Sequence, residues 1–248
     1  MGDGGLRTSA GEAGLGRFPA LTFAGQCEEL AEVLRRLAAR YDVGGWHWQV
    51  DTPALEVCLG AILVQHTAWA NVEKALASLR AAGAFSLPAI EALPQAVLAG
   101  LIRAAGMPDS KAGRLKAFAL LARQWSGLDS LLGLPTSALR PVLLSTPGIG
   151  PETADVILLY GAGRPAFVAD AYTVRLMRRL GLSPEQDGYG VWQAWLEERL
   201  PRDVQLCREN HAAIVLHGKE TCRARPRCAD CVLLDMCPFG QRGEGRPV

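Results

Sequence analysis

Four cysteines within sixteen residues constrain this chain more than any other feature: Cys222, Cys228, Cys231 and Cys237 form C-x5-C-x2-C-x5-C near the C-terminus. Thiolates at this density converge on a metal, and soft sulfur ligands select iron–sulfur clusters or zinc. Structural zinc sites usually join two Cys pairs with two to four residues inside each pair, and here only Cys228 and Cys231 are so spaced. The spacing therefore leans toward an iron–sulfur cluster, with zinc as the alternative. Disulfides suit the pattern less well, because seven cysteines is an odd count and the chain opens with no secretory signal. Cys27 and Cys58 fall in apolar helical patterns as small core residues, and Cys207 is expected to pack beneath the loop.

The remainder reads as a helical frame. At 248 residues and 49% hydrophobic content the chain can bury a core in one or two domains. Apolar runs such as Leu55 to Val64 are too short to span a bilayer, and Met1 to Gly16 has the Gly/Ala content of a tail. Apolar residues recur at three and four, with Leu30, Val33, Leu34 and Leu37 marking a first helix that ends near Tyr41. Pro53 opens the next helix at its first turn, running to about Gln65. Further helices are expected over Trp69 to Ala81, Pro94 to Ala104, Ser110 to Trp125, Thr136 to Leu144, Pro151 to Gly161, Ala171 to Leu180, Tyr189 to Leu200 and Val204 to Gly218. No stretch alternates with period two, so the fold class is all-α. The net charge of +1 does not by itself suggest a polyanionic partner. Phosphate affinity would have to come from local patches, the clearest being Arg175, Arg178 and Arg179, then Lys219, Arg223, Arg225 and Arg227.

Two further segments carry chemistry. Leu144 to Asp155, LSTPGIGPETAD, places a tight Pro-Gly-x-Gly turn between two helices. Gly148 and Gly150 can take positive φ and let an anion approach the backbone N–H groups, toward which the next helix directs its positive end. Downstream, Phe167 to Leu182, FVADAYTVRLMRRLGL, puts Asp170 at a helix start, where the bland role is an N-cap.

Together with HGKETCRARPRCADCVLLDMC from His217 to Cys237, and AILVQHTAWANVEKAL from Ala61 to Leu76, these segments resemble the endonuclease III family of helix-hairpin-helix DNA glycosylases. The resemblance runs from about Cys27 to Phe239 with its landmarks in order. It implies a two-domain all-α fold, a helical barrel domain plus an iron–sulfur cluster domain. The division would be a tail over 1–24, a first helix over 25–52 that packs with the cluster domain, a barrel with the hairpin over 53–165, a cluster domain over 166–240 and a tail over 241–248. It further implies a [4Fe–4S] cluster on the four cysteines, the Cys222 to Cys228 spacing being one residue shorter than usual, and a monovalent cation at the hairpin when DNA is bound. The implied partner is double-stranded DNA with a damaged base, bound by an intracellular (cytoplasmic), DNA-associated monomer with no membrane attachment.

The implied site follows residue by residue. Asp170 would stabilise the positive charge that develops on deoxyribose as the base departs and orient the attacking water. Gln65 would fill the gap left by the extruded nucleotide. Gly148, Gly150, Thr153, Arg223 and Arg225 would contact DNA, and His66, Trp69 and Glu152 would line the base pocket, with Thr67 beside them. The family's strand-cleaving members carry a lysine shortly after the hairpin glycines; this chain has Glu152 there. A carboxylate cannot form an imine, so a monofunctional glycosylase with little or no AP lyase activity is the natural inference. Two other readings stay open: a lesion-binding protein without catalysis, and a bifunctional enzyme using Lys111, Lys116 or Lys219. For the substrate, Trp46 and Trp48 suit a cationic alkylated purine held by stacking, against an oxidised pyrimidine, with mispaired bases third.

Overall fold

The computed structural model describes residues 26–243, so the expected tail 1–24 and residues 244–248 lie outside the described residues. Among the described residues the chain is all-helical. The elements are α1 (Gln26–Arg40), α2 (Ala54–Leu63), α3 (Trp69–Ala81), α4 (Leu87–Ala92), α5 (Gln95–Leu101), α6 (Pro108–Gln124) and α7 (Leu128–Leu132). They continue with α8 (Thr136–Leu144), α9 (Pro151–Val156), α10 (Ala171–Leu180), α11 (Tyr189–Glu197), α12 (Val204–Glu220) and α13 (Pro238–Gln241).

Helix α2 organises the first part of the molecule. Every residue from Val57 to Leu63 is buried, and a helix apolar all round belongs in an interior. It packs on α3, α6 and α9 and on the π-helical turn Ile157–Gly161 that continues α9. Burying Leu59, Ile62 and Leu63 contributes about 1.5–3 kcal/mol each. Gly60 allows the closest approach: a Cβ there would lie 3.1 Å from Trp69 Cη2 and 3.3 Å from Trp48 Nε1.

The second part forms around α12. The stripe Leu30, Val33, Leu34 and Leu37 is buried and lays α1 on α12, which also packs on α10 and on the π-helical turn. Asp203 caps α12 by accepting from Leu206 N–H at 2.8 Å. Gly181, at φ 78, closes α10 in the left-handed conformation. The chain crosses between the two parts through the buried segment Ala166 to Asp170.

Several sequence expectations are corrected. Helices α4, α7 and α13 have six, five and four residues, too few to show a periodic stripe. The helix expected from Pro94 to Ala104 breaks at Ile102 and continues as a 3-10 turn, Arg103–Ala105. Pro53 is the N-cap of α2, its ψ of 133° being extended, so the helix begins one residue later. Beyond Val156 the expected helix to Gly161 widens to π geometry. Cys58 is fully buried as expected, whereas Cys27 is only half-buried. Cys207 sits against Ala166, Phe167 and Leu200 instead of beneath the cysteine loop.

Candidate active site

The hairpin between α8 and α9 is closed by Ile149 N–H donating to Thr146 O at 3.0 Å, with Ile149 buried. Its two glycines differ in kind. Gly148 has φ 84, and a Cβ there would meet Arg114 Cγ at 2.3 Å. Gly150 is extended, φ −87 and ψ 176, with open space where a Cβ would stand. The expectation of positive φ thus holds for Gly148 alone; at Gly150 any residue could adopt the backbone, and what the glycine leaves is room.

Gln65 folds against this turn. Its Nε2 donates to Gly148 O at 3.2 Å and to Thr153 Oγ1 at 3.1 Å, while Arg114 Nη1 donates to its Oε1. The structure therefore brings Gln65, Gly148 and Thr153 together, with Thr153 buried and its hydroxyl engaged by Gln65. Arg114, from α6, was not legible in the sequence. His66 is exposed and held at φ 58, a left-handed conformation that costs a non-glycine residue about 1–3 kcal/mol. Among the described residues no hydrogen bond or ion pair joins His66 to Asp170.

Asp170 is both N-cap and buried carboxylate. At 8% exposure it accepts from Thr173 N–H at 2.8 Å through Oδ1, and its Oδ2 faces His211 Nε2 at 3.7 Å. Burial pushes its pKa up, but His211 and the Thr173 N–H outweigh that and hold the carboxyl below its usual range. His211, also missed in the sequence, receives Tyr160 from the other side, with Oη to Nδ1 at 2.8 Å. Glu152 is exposed as a residue, yet its surroundings withdraw solvent enough to raise its pKa; the charge of Asp170 adds to the rise and His211 opposes it. Two carboxyl groups whose environments push them apart thus lie within electrostatic reach, Asp170 toward the ionised form and Glu152 toward the neutral one.

An aromatic group borders His211. His47 stacks on Trp69 with centroids 3.7 Å apart, and Trp46 lies 4.0 Å from His47 and 5.8 Å from the His211 ring. Burial, then Lys219 and His211, lower the His47 pKa to about 3, so its imidazole is neutral. Trp69 Nε1 donates to Glu73 at 3.0 Å, and Thr67 accepts from Asn71 at 3.1 Å, which spends both on α3. Trp46 and Trp48 are buried. Lys219 is exposed, its Nζ 5.7 Å from the Trp46 ring; burial lowers its pKa and Asp170 opposes that.

All four loop cysteines line one cavity, together with Leu176, Leu180 and Phe239. Burial raises the Cys231 thiol to about 11, the Leu233 N–H opposes this, and the other three thiols add to it. Among the described residues no three His, Cys, Asp or Glu side chains are set to hold a metal ion directly. Arg179 donates to Cys222 Sγ at 3.1 Å and to Arg223 O at 2.7 Å; Arg175 donates to Cys222 O at 2.9 Å and to Gly218 O at 3.1 Å. Arg178 pairs with Asp187 at 2.7 Å. The first basic patch inferred from the sequence is thus spent within the fold, because Arg175 and Arg179 satisfy backbone carbonyls and Arg178 pairs with an aspartate. The second is exposed: Arg223, Arg225 and Arg227 all face solvent.

The model of the HhH-GPD superfamily base excision DNA repair protein matches residues 59–202. An inferred DNA repair glycosylase of Methanocaldococcus jannaschii, MJ1434, is 36% identical over 85% of this chain and 96% of its own length. Endonuclease III of Treponema pallidum is 33% identical over 78% of this chain and 86% of its own. In a solved non-covalent endonuclease III–DNA complex, the protein superposes with a TM-score of 0.76 at 22% identity, covering 89% of this chain and 99% of that one. A Helicobacter pylori 3-methyladenine DNA glycosylase bound to 1,N6-ethenoadenine gives 0.67 at 25% identity, covering 78% and 97%. The fold, the hairpin and these matches converge, and the chain belongs to the HhH-GPD superfamily of base excision DNA repair proteins, as a DNA glycosylase of the endonuclease III family.

Proposed function

We propose that the protein releases a damaged base from double-stranded DNA by hydrolysis, with Asp170 as its catalytic carboxylate. The observation that carries this is the buried Asp170, held toward its ionised form between the Thr173 N–H and His211, with Glu152 within its electrostatic reach. As the glycosidic bond lengthens, positive charge grows on the sugar, and a fixed carboxylate in a low-dielectric site stabilises it. Water completes the substitution, because Glu152 stands where a lyase lysine would be. The packing around α2 and around α12 supports a division into a barrel (53–165) and a cluster domain (25–52 with 166–240), with Asp170 on the segment that would join them.

Gly150 offers a bare approach for a phosphate, and Gln65, resting on the hairpin, would leave it to enter the duplex; a monovalent cation would sit at the turn carbonyls. Arg223 and Arg225 would meet a second stretch of backbone. The His47–Trp69 stack, linked through Trp46 to the His211 ring, suits a cationic alkylated purine, which such faces hold by about 0.5–2 kcal/mol; an oxidised pyrimidine is the alternative. No described helix is long and apolar enough to cross a membrane.

The donor set fits a [4Fe–4S] cluster on Cys222, Cys228, Cys231 and Cys237. Four thiols line one cavity, the all-thiolate donor set that such a cluster takes. Such a cluster would supply a rigid cross-link to the loop and no step of base removal. Absorption in the visible blue with iron and sulfide in equal amounts is expected; stoichiometric zinc would refute it.

A second reading has one observation in its favour. Lys111 is buried on Ala105 O and Lys116 donates to Glu91 O, but Lys219 is exposed within the field of Asp170. Duplexes bearing single defined lesions separate the readings. Strand breakage only after hot alkali supports hydrolysis, a borohydride-trapped adduct lost in Lys219→Ala supports a lyase, and no release across the panel leaves lesion binding alone. Asp170→Asn is expected to abolish base release with DNA affinity nearly intact; unchanged turnover would remove Asp170 from its role.

A further inference from the structure

We propose that His211 is the positioning residue of Asp170, held by the Tyr160 hydroxyl in the tautomer that aims its ring proton at the carboxylate. The inference rests on the assignment of Asp170 as the catalytic group. Three elements build the arrangement: Asp170 caps α10, His211 stands on the buried face of α12, and Tyr160 comes from the π-helical turn after α9. Asp170 is 8% exposed and His211 and Tyr160 each 4%, so solvent does little to satisfy these groups.

The two oxygens of Asp170 are held differently. Oδ1 accepts from the Thr173 N–H at 2.8 Å, a bond any N-cap would make. Oδ2 faces His211, with Nε2 at 3.7 Å, longer than a full hydrogen bond. Catalytic contacts are often this loose in free enzymes and tighten around substrate. What makes the ring directional is its other nitrogen. Tyr160 Oη lies 2.8 Å from Nδ1 and 3.3 Å from the Arg208 carbonyl oxygen. Donation along the shorter contact makes Nδ1 the acceptor, and a neutral imidazole that accepts at Nδ1 carries its proton on Nε2, toward Oδ2. The aspartate is then oriented by Thr173 from its own helix and by the ring of His211 from α12, both buried.

A core histidine that merely fills space would need neither the phenol nor the carboxylate, and the test is built on that difference. Side-chain 15N NMR of the wild type is expected to show the His211 proton on Nε2 with Nδ1 accepting, and Tyr160→Phe, which keeps the ring, to mix the tautomers. On a duplex carrying one N-alkylated adenine, or one thymine glycol if that is what the wild type releases, His211→Leu should slow single-turnover base release about 10²-fold with DNA affinity unchanged. His211→Gln, whose amide N–H can stand in for Nε2–H, should recover part of the loss, and Tyr160→Phe should cost about tenfold. A proton found on Nδ1, a Gln variant no better than Leu, or losses that track the folded fraction by circular dichroism would each overturn the proposal. If Asp170→Asn remains active, the assignment of Asp170 fails; if Asp170→Asn is inactive while His211→Leu matches wild type, only the role of His211 fails.

Discussion

The hairpin and the cysteine loop are the two segments proposed to meet DNA, and they are held by different means. The hairpin is held mostly by neutral groups: a backbone turn closed on Thr146, an isoleucine anchored in the core, and a glutamine amide bridging Gly148 and Thr153, with Arg114 adding a charge. Its shape is over-determined by packing, so it needs nothing bound to persist. The loop from Cys222 to Cys237 contains only two short 3-10 turns, Cys228–Asp230 and Leu234–Met236. Arginines from other helices hold it: Arg175 and Arg179 from α10, and Arg36 from α1, which donates to Val232 O at 3.1 Å. Where a fold cannot bury apolar side chains it recruits charge and a cross-linking group instead, and the two regions should fail differently.

The largest effect tests that contrast directly. Cys228→Ser removes one ligand and should lower bound metal, destabilise the protein by about 4 kcal/mol or more, and open residues 222–237 to protease while 144–156 stays protected. Equal protection of both segments without metal would end the distinction. Next comes a pair within the hairpin. Gly148→Ala should cost about 1–3 kcal/mol, since a Cβ at φ 84 strains the backbone and displaces Arg114. Gly150→Ala should stay within about 0.5 kcal/mol in stability, and its penalty should appear in DNA affinity, because its Cβ points into open space. Thermal melts and binding isotherms of the two variants separate these outcomes; equal stability losses would show that Gly150 is also conformationally required.

The smallest effect concerns the aromatic ground near Asp170. His47 has its folded pKa lowered to about 3 from 6.5, so the unfolded chain binds the proton first. The stability contributed by its neutral burial is therefore complete above the unfolded value and declines as pH falls through 6.5 toward 3. Between about pH 7 and pH 5.5 the loss should approach 1 kcal/mol, and His47→Leu should flatten that slope. A melting temperature with the same pH dependence in both proteins would show that His47 is not held neutral.

What could be read in the sequence was whatever local chemistry punctuates. Helices over Trp69–Ala81, Thr136–Leu144 and Ala171–Leu180 were anticipated to the residue. Ala171–Leu180 is bracketed by the Asp170 cap and Gly181, and Pro135 precedes Thr136–Leu144. The cysteine loop and Asp170 were legible for the same reason, as short motifs with a chemical purpose. Arg114, Tyr160 and His211 were not. Each acts across 40 or more positions, on Gln65, His211 and Asp170, and no local pattern reports a contact of that separation. One signal was available for His211: it sits at the head of the buried run Ala212 to Val215, where an unpartnered imidazole would be costly. The basic patch misled because a row of arginines on one helix looks alike whether it faces phosphate or satisfies a neighbouring loop.

Helix α12 carries His211 against Asp170, His217 against Cys231 at 3.8 Å and Lys219 over Trp46. It is one rod of seventeen residues, about 25 Å long, and the two histidines are about 9 Å apart along it. A rod does not yield at one point alone. Whatever sets the register of the cysteine loop on the end of α12 also sets the angle at which an imidazole meets the carboxylate, so insertion of the proposed cluster would be a condition on when the proposed catalytic geometry first exists.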